Sequence, residues 1–299
     1  MSFKDPKEIT QAGIKTGTVK AKLSWDKALV ASFLAGAYIA FGGLLAITVT
    51  SGMPKETWGS LPTLFAGAVF ALVLILVVIA GSELLTGNFA LVPLAAFTKR
   101  VPPRQLFQNF GIVMFGNLLG SLFVAYFLAD QTGVVTQDLQ LARLEEIATL
   151  KGQTETEWQI FLRAVGCNWL VCLAVWMALA ATDIAGKILA IFFPIMAFVA
   201  MGFDHVVANM FFLPAAIFAG AGDVTWGDAL HNWLFAGLGN FVGAAIFVAG
   251  AYWYLYARPE EEAGAGAGGV REEVDTARAG GNGAREEAGA VGASSQPAG

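Results

Sequence analysis

One imidazole lies in the middle of a long apolar region of the chain. His205 follows Asp204 in a short polar stretch, 202–209, inside the apolar region that runs from about residue 187 to 220. An ionisable side chain is costly in lipid and is a functional candidate for that reason. Histidine, with an unperturbed pKa of about 6.5, donates a hydrogen bond or a proton near neutral pH. The chemistry this predicts is donation to a small anion.

A second polar stretch, 82–88, matches the first at a constant distance in sequence. Asn88 and Asn209 are 121 residues apart, and so are Pro93 and Pro214. Thr86 lies in the first stretch, where its hydroxyl would orient a solute or share a water molecule with His205. The match predicts an internal repeat in which each half contains one interrupted helix.

The other polar residues of the two stretches have expected structural roles. Glu83 and Asp204 are repeat mates, and each carboxylate is expected to accept hydrogen bonds from unwound backbone. Asn88 and Asn209 are expected to cap the half-helices that follow, because asparagine is a good helix N-cap. The positive ends of these half-helices would then point towards the centre, which favours an anion over a cation.

The composition indicates a chain dissolved mostly in lipid. Hydrophobic residues make up 56% of the 299 residues, charged residues only 14%, and the net charge is −5. These values exclude a nucleic-acid binder, a disordered chain and a disulfide scaffold. Apolar regions of a length suited to membrane spans lie near 27–50, 61–98, 106–129, 159–181, 187–220 and 231–257.

These regions predict an all-α membrane protein with six transmembrane helices. Two regions are too long for one straight span and contain the polar stretches, so they are predicted to be broken helices. Three spans in each half mean that the second half enters the membrane from the opposite side, as an inverted 3+3 repeat with its site near the midplane.

Charge in the loops predicts the orientation. Lysine and arginine concentrate in the N-terminal arm and at 99–104, whereas the loops near 130–158 and 220–230 are acidic. Both termini are therefore expected in the cytoplasm of a multi-pass plasma (inner) membrane protein. The predicted parts are a cytoplasmic amphipathic segment at 1–26, a channel domain at 27–257 and a disordered cytoplasmic tail at 258–299.

Signatures of enzymes are missing from the sequence. It contains no zinc-protease, nucleophile-elbow or phosphate-loop motif, and no metal-ligand spacing involves Cys167 or Cys172. An intramembrane enzyme built on Glu83, Asp204 and His205 would have no nucleophile and no metal set. We therefore expect a protein that is not an enzyme and that needs no cofactor and no metal.

Four stretches carry a resemblance to a known family. Residues 33–39, 83–88, 167–176 and 202–210 are similar to segments of the formate/nitrite transporter family, and the resemblance covers about 25–257. It implies an aquaporin-like fold, assembled as a homopentamer in the lipid bilayer with one pore per protomer. Asp204 stands where the family commonly has glutamate, and the shorter carboxylate is expected to keep the same role.

The resemblance also implies roles for particular residues. His205 matches the central pore histidine, Thr86 the threonine that faces it, and Asn168 the asparagine nearby. Lys151 is the closest match to a lysine that attracts anions at the outer side. The positions that match apolar constriction residues of the pore are Phe70, Leu74, Leu84, Phe198 and Val199.

The expected function is passage of a small monovalent anion of a weak acid, passive or coupled to protons through His205. Formate is the first expectation, and nitrite or hydrosulfide is the alternative within the same family. A neutral-solute channel of the water or glycerol kind is a further alternative. It would share the inverted repeat, but its Asn-Pro-Ala motifs are absent, since Asn88 precedes Phe89 and Asn209 precedes Met210.

Overall fold

The computed structural model describes residues 3–259 and is all-α in that part of the chain. The predicted tail, 258–299, lies outside the described residues except for its first two. The helices, with four π-helical segments, are α1 Pro6–Ala21, α2 Trp25–Thr50, α3 Lys55–Trp58, α4 Leu61–Phe70, α5 Leu72–Leu76, π1 Val77–Gly81, α6 Leu85–Phe97, α7 Pro103–Phe123, π2 Val124–Asp130, α8 Asp138–Thr149, π3 Leu150–Thr154, α9 Glu157–Ala180, α10 Ile184–Ala200, α11 Val206–Ala219, α12 Trp226–Ala244, π4 Ala245–Gly250 and α13 Ala251–Tyr256.

Several of these helices join into rods long and apolar enough to cross a bilayer. Five rods of 21 to 31 residues meet that condition, compared with the roughly 20 residues that a span needs. They are Trp25–Thr50, Leu61–Gly81, Pro103–Asp130, Glu157–Ala180 and Trp226–Tyr256. With the shorter apolar helices α6, α10 and α11, they give the predicted six spans, two of them broken.

Each break begins at a glycine with positive φ. Gly81 has φ +80° and Gly202 has φ +72°, a conformation that residues with a side chain rarely adopt. A few non-helical residues follow, and the helix restarts at Leu85 in the first half and at Val206 in the second. We call α4 to α6 the first broken helix, and α10 with α11 the second.

The predicted capping by asparagine is wrong. The N-cap positions are Leu84 and His205, so Asn88 and Asn209 lie inside the first turns of the restarted helices. The reason is that the glycine ends each preceding helix early and only a short extended segment follows. The asparagine amides make other contacts, described below.

Close backbone approach holds the third span to the first and the sixth to the fourth. A Cβ added at Gly120 would lie 2.0 Å from the carbonyl oxygen of Phe33, and one at Gly243 would lie 2.3 Å from that of Val165. These glycines belong to the Gly-x-x-x-Gly spacings that allow helices to pack tightly. The same contact therefore recurs in both halves of the repeat.

An amphipathic helix precedes the three spans of each half. α1 lies in the predicted segment 1–26 and packs closely on α6, where a Cβ at Gly17 would lie 1.8 Å from the carbonyl oxygen of Leu91. α8 lies within the stretch 130–158, which we expected to be only an acidic loop. That expectation is wrong. Leu144 and Ala148, one turn apart on α8, are fully buried and were the overlooked signal.

Candidate functional site

The two broken helices meet at a hydrogen bond between their side chains. Thr86 Oγ1 lies 3.0 Å from His205 Nε2, and both residues are buried. The other ring nitrogen, His205 Nδ1, accepts the backbone N–H of Ala208 at 3.1 Å. A neutral imidazole has one donor and one acceptor nitrogen, so the proton is on Nε2 and is donated to Thr86.

Thr86 is held in place through its carbonyl oxygen. That oxygen accepts the side-chain amide of Asn168 at 3.1 Å and lies 3.4 Å from Cys172 Sγ. The same Asn168 amide donates to the carbonyl oxygen of Asn240 at 2.7 Å. Because His205 donates to the Thr86 hydroxyl oxygen, the hydroxyl hydrogen is left to donate to a solute.

An asparagine of the third span fixes the first break. Asn117 Oδ1 accepts the backbone N–H of Leu85 at 2.9 Å, and Nδ2 donates to the carbonyl oxygens of Ser32 at 2.8 Å and Glu83 at 2.9 Å. The bonds to Leu85 and Glu83 thus satisfy backbone groups that the break has freed at membrane depth.

Asn240, in the sixth span, does the same for the second break. Its Oδ1 accepts the N–H of Val206 at 2.8 Å, and its Nδ2 donates to the carbonyl oxygens of Ala164 at 2.8 Å and Asp204 at 2.9 Å. The two breaks therefore rest on one repeated scaffold.

The carboxylate of each break is neutralised by a lysine from the amphipathic helix region of its own half. Lys20 Nζ lies 2.8 Å from Glu83, and Lys151 Nζ lies 2.7 Å from Asp204. Asn88 Nδ2 also donates to Glu83, at 2.9 Å.

In the second half, Asn209 Nδ2 donates to Asp204 at 2.9 Å. The donors to both carboxylates are thus side chains rather than the unwound backbone that we expected. Both pairs are largely buried, and such a pair is costly to break by removing one partner.

Cavities approach the Thr86–His205 pair from both ends. One, the α1 vestibule, has a volume of about 400 Å³, and Leu74, Leu84 and Lys20 are among its lining residues. The other, the α8 vestibule, has a volume of about 250 Å³, and its lining includes His205 and Lys151.

The predicted constriction residues divide between these two cavities. Phe70, Phe198 and Val199 line the α8 vestibule, whereas Leu74 and Leu84 line the α1 vestibule. The rings of Phe70 and Phe198 meet edge to face at 6.1 Å, and Phe198 stacks on the His205 ring at 6.1 Å. The polar pair is thus set in an apolar surround.

The α8 vestibule is cationic at its mouth although the loops around it are acidic. Lys55 and Arg143 both bond Glu146, and Lys151 lies deeper. Arg143 Nε also donates to Thr50 Oγ1 at 3.1 Å, which fixes the guanidinium in the wall.

Sequence reasoning missed several residues of the site. The asparagines at 117 and 240 were available as matched polar residues within apolar spans, but were interpreted only as part of a packing motif. Lys20, Arg143 and Glu155 gave no local signal, because their partners are distant in sequence or lie on another helix. Within residues 3–259, no group of three or more His, Cys, Asp or Glu side chains could hold a metal ion.

The comparisons with known proteins agree on one family. The profile of the formate/nitrite transporter family matches residues 7–254. A probable formate transporter of Methanothermobacter thermautotrophicus is 50% identical over 270 residues, covering 85% of this chain and 98% of that protein. The formate channel BtFdhC of Bacillus thuringiensis is 40% identical over 257 residues, covering 86% and 97%.

Solved structures give the same result. One, described as an FNT family ion channel, has a TM-score of 0.77 and 32% identity, covering 84% of this chain and 99% of its own. Another, a pentameric formate channel with formate bound, has a TM-score of 0.68 and 29% identity, covering 78% and 98%. The chain belongs to the formate/nitrite transporter family, a family of membrane channels and transporters rather than enzymes.

Proposed function

We propose that this chain conducts the small monovalent anion of a weak acid, formate first, through the passage between its broken helices. The observation that carries the proposal is the Thr86–His205 hydrogen bond of 3.0 Å, which lies between two vestibules. Nitrite, of similar size and charge, is the alternative within the family.

The apolar surround makes dehydration the main barrier. An anion that passes Phe70 and Phe198 loses water, and an ion without hydrogen-bond partners is very costly in such surroundings. The hydroxyl of Thr86 offers one donor in its place, and the Nε2–H of His205 offers a second when it turns from Thr86 to the anion. Dehydration also makes the carboxylate more basic, so that it can cross the narrowest part as the neutral acid.

In this scheme His205 is a hydrogen-bond donor rather than a proton carrier. A proton placed on Nδ1 would point at the N–H of Ala208, which already occupies that nitrogen at 3.1 Å. A proton lost from Nε2 therefore cannot be replaced by one that enters the ring at Nδ1. The proton that accompanies the anion comes from water in the vestibule.

Cations at both mouths would concentrate the anion. Lys20 and Lys187 line the α1 vestibule, and Lys55, Arg143 and Lys151 line the α8 vestibule. By the distribution of lysine and arginine, the α1 vestibule faces the cytoplasm and the α8 vestibule faces outwards, with both termini in the cytoplasm of the plasma membrane. The likeness to a pentameric formate channel supports a homopentamer with one passage per protomer.

Flux measurements on the purified protein test the proposal. Liposomes with and without the protein would receive formate, nitrite, acetate, lactate and hydrosulfide in turn, at pH 6 and pH 8. We expect formate and nitrite to enter much faster with protein. Water flux measured by stopped flow in the same liposomes is the control, since rapid water flux without anion flux would contradict the proposal and favour a neutral-solute channel.

A further inference from the structure

A second acidic side chain adjoins the lysine–carboxylate pair of the second break. Glu155, just before α9, is 7% exposed, and Asp204 is fully buried. Lys151 Nζ lies 2.7 Å from Asp204 Oδ1, and the Arg163 guanidinium bonds Glu155 Oε1. Each carboxyl thus has one oxygen that is already paired with a cation.

The remaining oxygens have no donor. Neither Glu155 Oε2 nor Asp204 Oδ2 receives a hydrogen bond from any donor among residues 3–259, although both are buried. The two carboxyls lie within hydrogen-bonding reach of each other. Two ionised carboxylates at this distance repel, whereas a single shared proton supplies a donor to one oxygen and an acceptor in the other.

The surroundings favour a proton on Glu155. Burial, with the neighbouring Asp204 carboxylate, raises the pKa of Glu155 to about 7, against the opposing charges of Lys151 and Arg163. The other titratable groups near the cluster are Cys167, buried on α9, and His205, which follows Asp204 directly in the chain.

Among residues 3–259, the first break has no such second acid. Both oxygens of Glu83 are satisfied, one by Lys20 at 2.8 Å and the other by Asn88 at 2.9 Å. The position of the extra carboxyl therefore distinguishes the α8 vestibule from the α1 vestibule.

We propose that Glu155 and Asp204 share one proton near neutral pH, and that this proton sets the charge presented to anions in the α8 vestibule. With the proton bound, Lys151, Arg163 and the two carboxyls carry a net charge of +1, and without it they carry zero. Lys151, which lines the vestibule, transmits the difference. This inference rests on the proposed anion transport. It predicts that anions enter the vestibule more easily at low pH, where the protonated form of the substrate is also most abundant.

Fixing Glu155 in its neutral form tests this. In liposomes with equal pH on both sides, the formate flux of Glu155→Gln is divided by that of the wild type at the same pH, so that the changing fraction of formic acid cancels. We expect a ratio near one at pH 6 and of about two to four at pH 8. This is the size of effect that one partly screened charge would have on the local concentration of an anion. Glu157→Gln, an exposed carboxyl two residues away, is the matched control and should give one at both values.

Infrared spectroscopy supplies a readout that does not depend on transport. The wild type should show a protonated carboxyl band that disappears around pH 7 and is missing from Glu155→Gln. A ratio that does not change with pH, or a spectrum without this titrating band, overturns the proposal. If the wild type carries no formate, the proposed substrate fails, and the same ratio measured with nitrite decides the charge effect.

Discussion

The two broken helices have the same support but different chemistry. Asn117 and Asn240 each make the same two bonds to the break beside them and a third to the first span of their half. Glu83 and Asp204 each pair with a lysine and an asparagine. The first break nevertheless has leucine at its cap position, whereas the second has His205.

The difference shows how a symmetric fold acquires an asymmetric site. Leu84 and His205 are repeat mates 121 residues apart, and Thr86 has Val207 as its mate. The His205 ring caps the N–H of Ala208, and Leu84 has no side-chain group that could do the same. The repeat thus sets the geometry, and two departures from it create the Thr86–His205 contact at the centre.

The largest expected effect comes from removing the shared support. Asn117→Leu or Asn240→Leu leaves two backbone groups of the adjacent break unpaired, at a cost of about 1–3 kcal/mol each. We expect either variant to lose its folded, monodisperse form in detergent, as measured by size-exclusion chromatography and thermal unfolding. Gln108→Leu, an exposed change on α7, should behave as wild type. A stable Asn240→Leu protein would show that the support is not needed in the second half.

His205→Phe should reduce formate flux without unfolding the protein. The change removes a donor to a charged solute, a bond worth about 1.5–3 kcal/mol, which corresponds to a loss of about tenfold to a hundredfold. The control is His231→Phe, because the side chain of His231 is 43% exposed and contacts Glu157 rather than either break. Equal flux in the two variants would contradict a central role for the second break.

Thr86→Val should have a smaller effect in the same liposome assay. Valine keeps the shape of threonine but loses the hydroxyl. Because the Nε2–H of His205 is then released and can donate to the anion in its place, we expect a net loss of only about 0.5–1.5 kcal/mol, or about twofold to tenfold in flux. Thr98→Val changes a hydroxyl that bonds only backbone carbonyl oxygens at the other end of α6, and should leave flux unchanged. A Thr86→Val protein with full flux would show that the hydroxyl is not needed and that His205 alone donates to the anion.

The smallest expected effect on transport concerns the glycines that open the breaks, where the change is one of stability. Gly81→Ala and Gly202→Ala meet no atom within 4 Å, so their cost comes only from positive φ, about 1–2 kcal/mol each. We expect both to lower the unfolding temperature by similar amounts. Gly111→Ala, in a helix and equally unobstructed, should not lower it. If Gly81→Ala and Gly202→Ala lowered the unfolding temperature by different amounts, the two breaks would not be structurally equivalent.

The sequence predicted the fold well because its signals are local. Apolar length predicted six spans, and the matched polar stretches located the breaks close to Gly81 and Gly202. Helix α8 was missed because it is short and carries Asp138, Glu145 and Glu146 beside its apolar residues, so that its apolar length does not indicate a span. The asparagine caps were wrong because sequence pattern does not show where a positive φ ends a helix.

The site was predicted only where its residues fall inside a break. Thr86 and His205 come together as expected, 3.0 Å apart. Lys20 and Glu83 are 63 residues apart, and nothing in either neighbourhood predicts their pairing. The same holds for Glu155 with Asp204, because their approach depends on how three elements pack.

Nitrogen NMR of histidine tests the central claim most directly, because the chain has only two histidines. In a His231→Gln protein labelled with ¹⁵N-histidine, the only signals would come from His205. We predict a neutral ring with its proton on Nε2, bonded as the contacts to Thr86 and Ala208 require, and an Nε2 resonance that shifts when formate is added. A proton found on Nδ1, or an Nε2 signal indifferent to formate, would contradict the account.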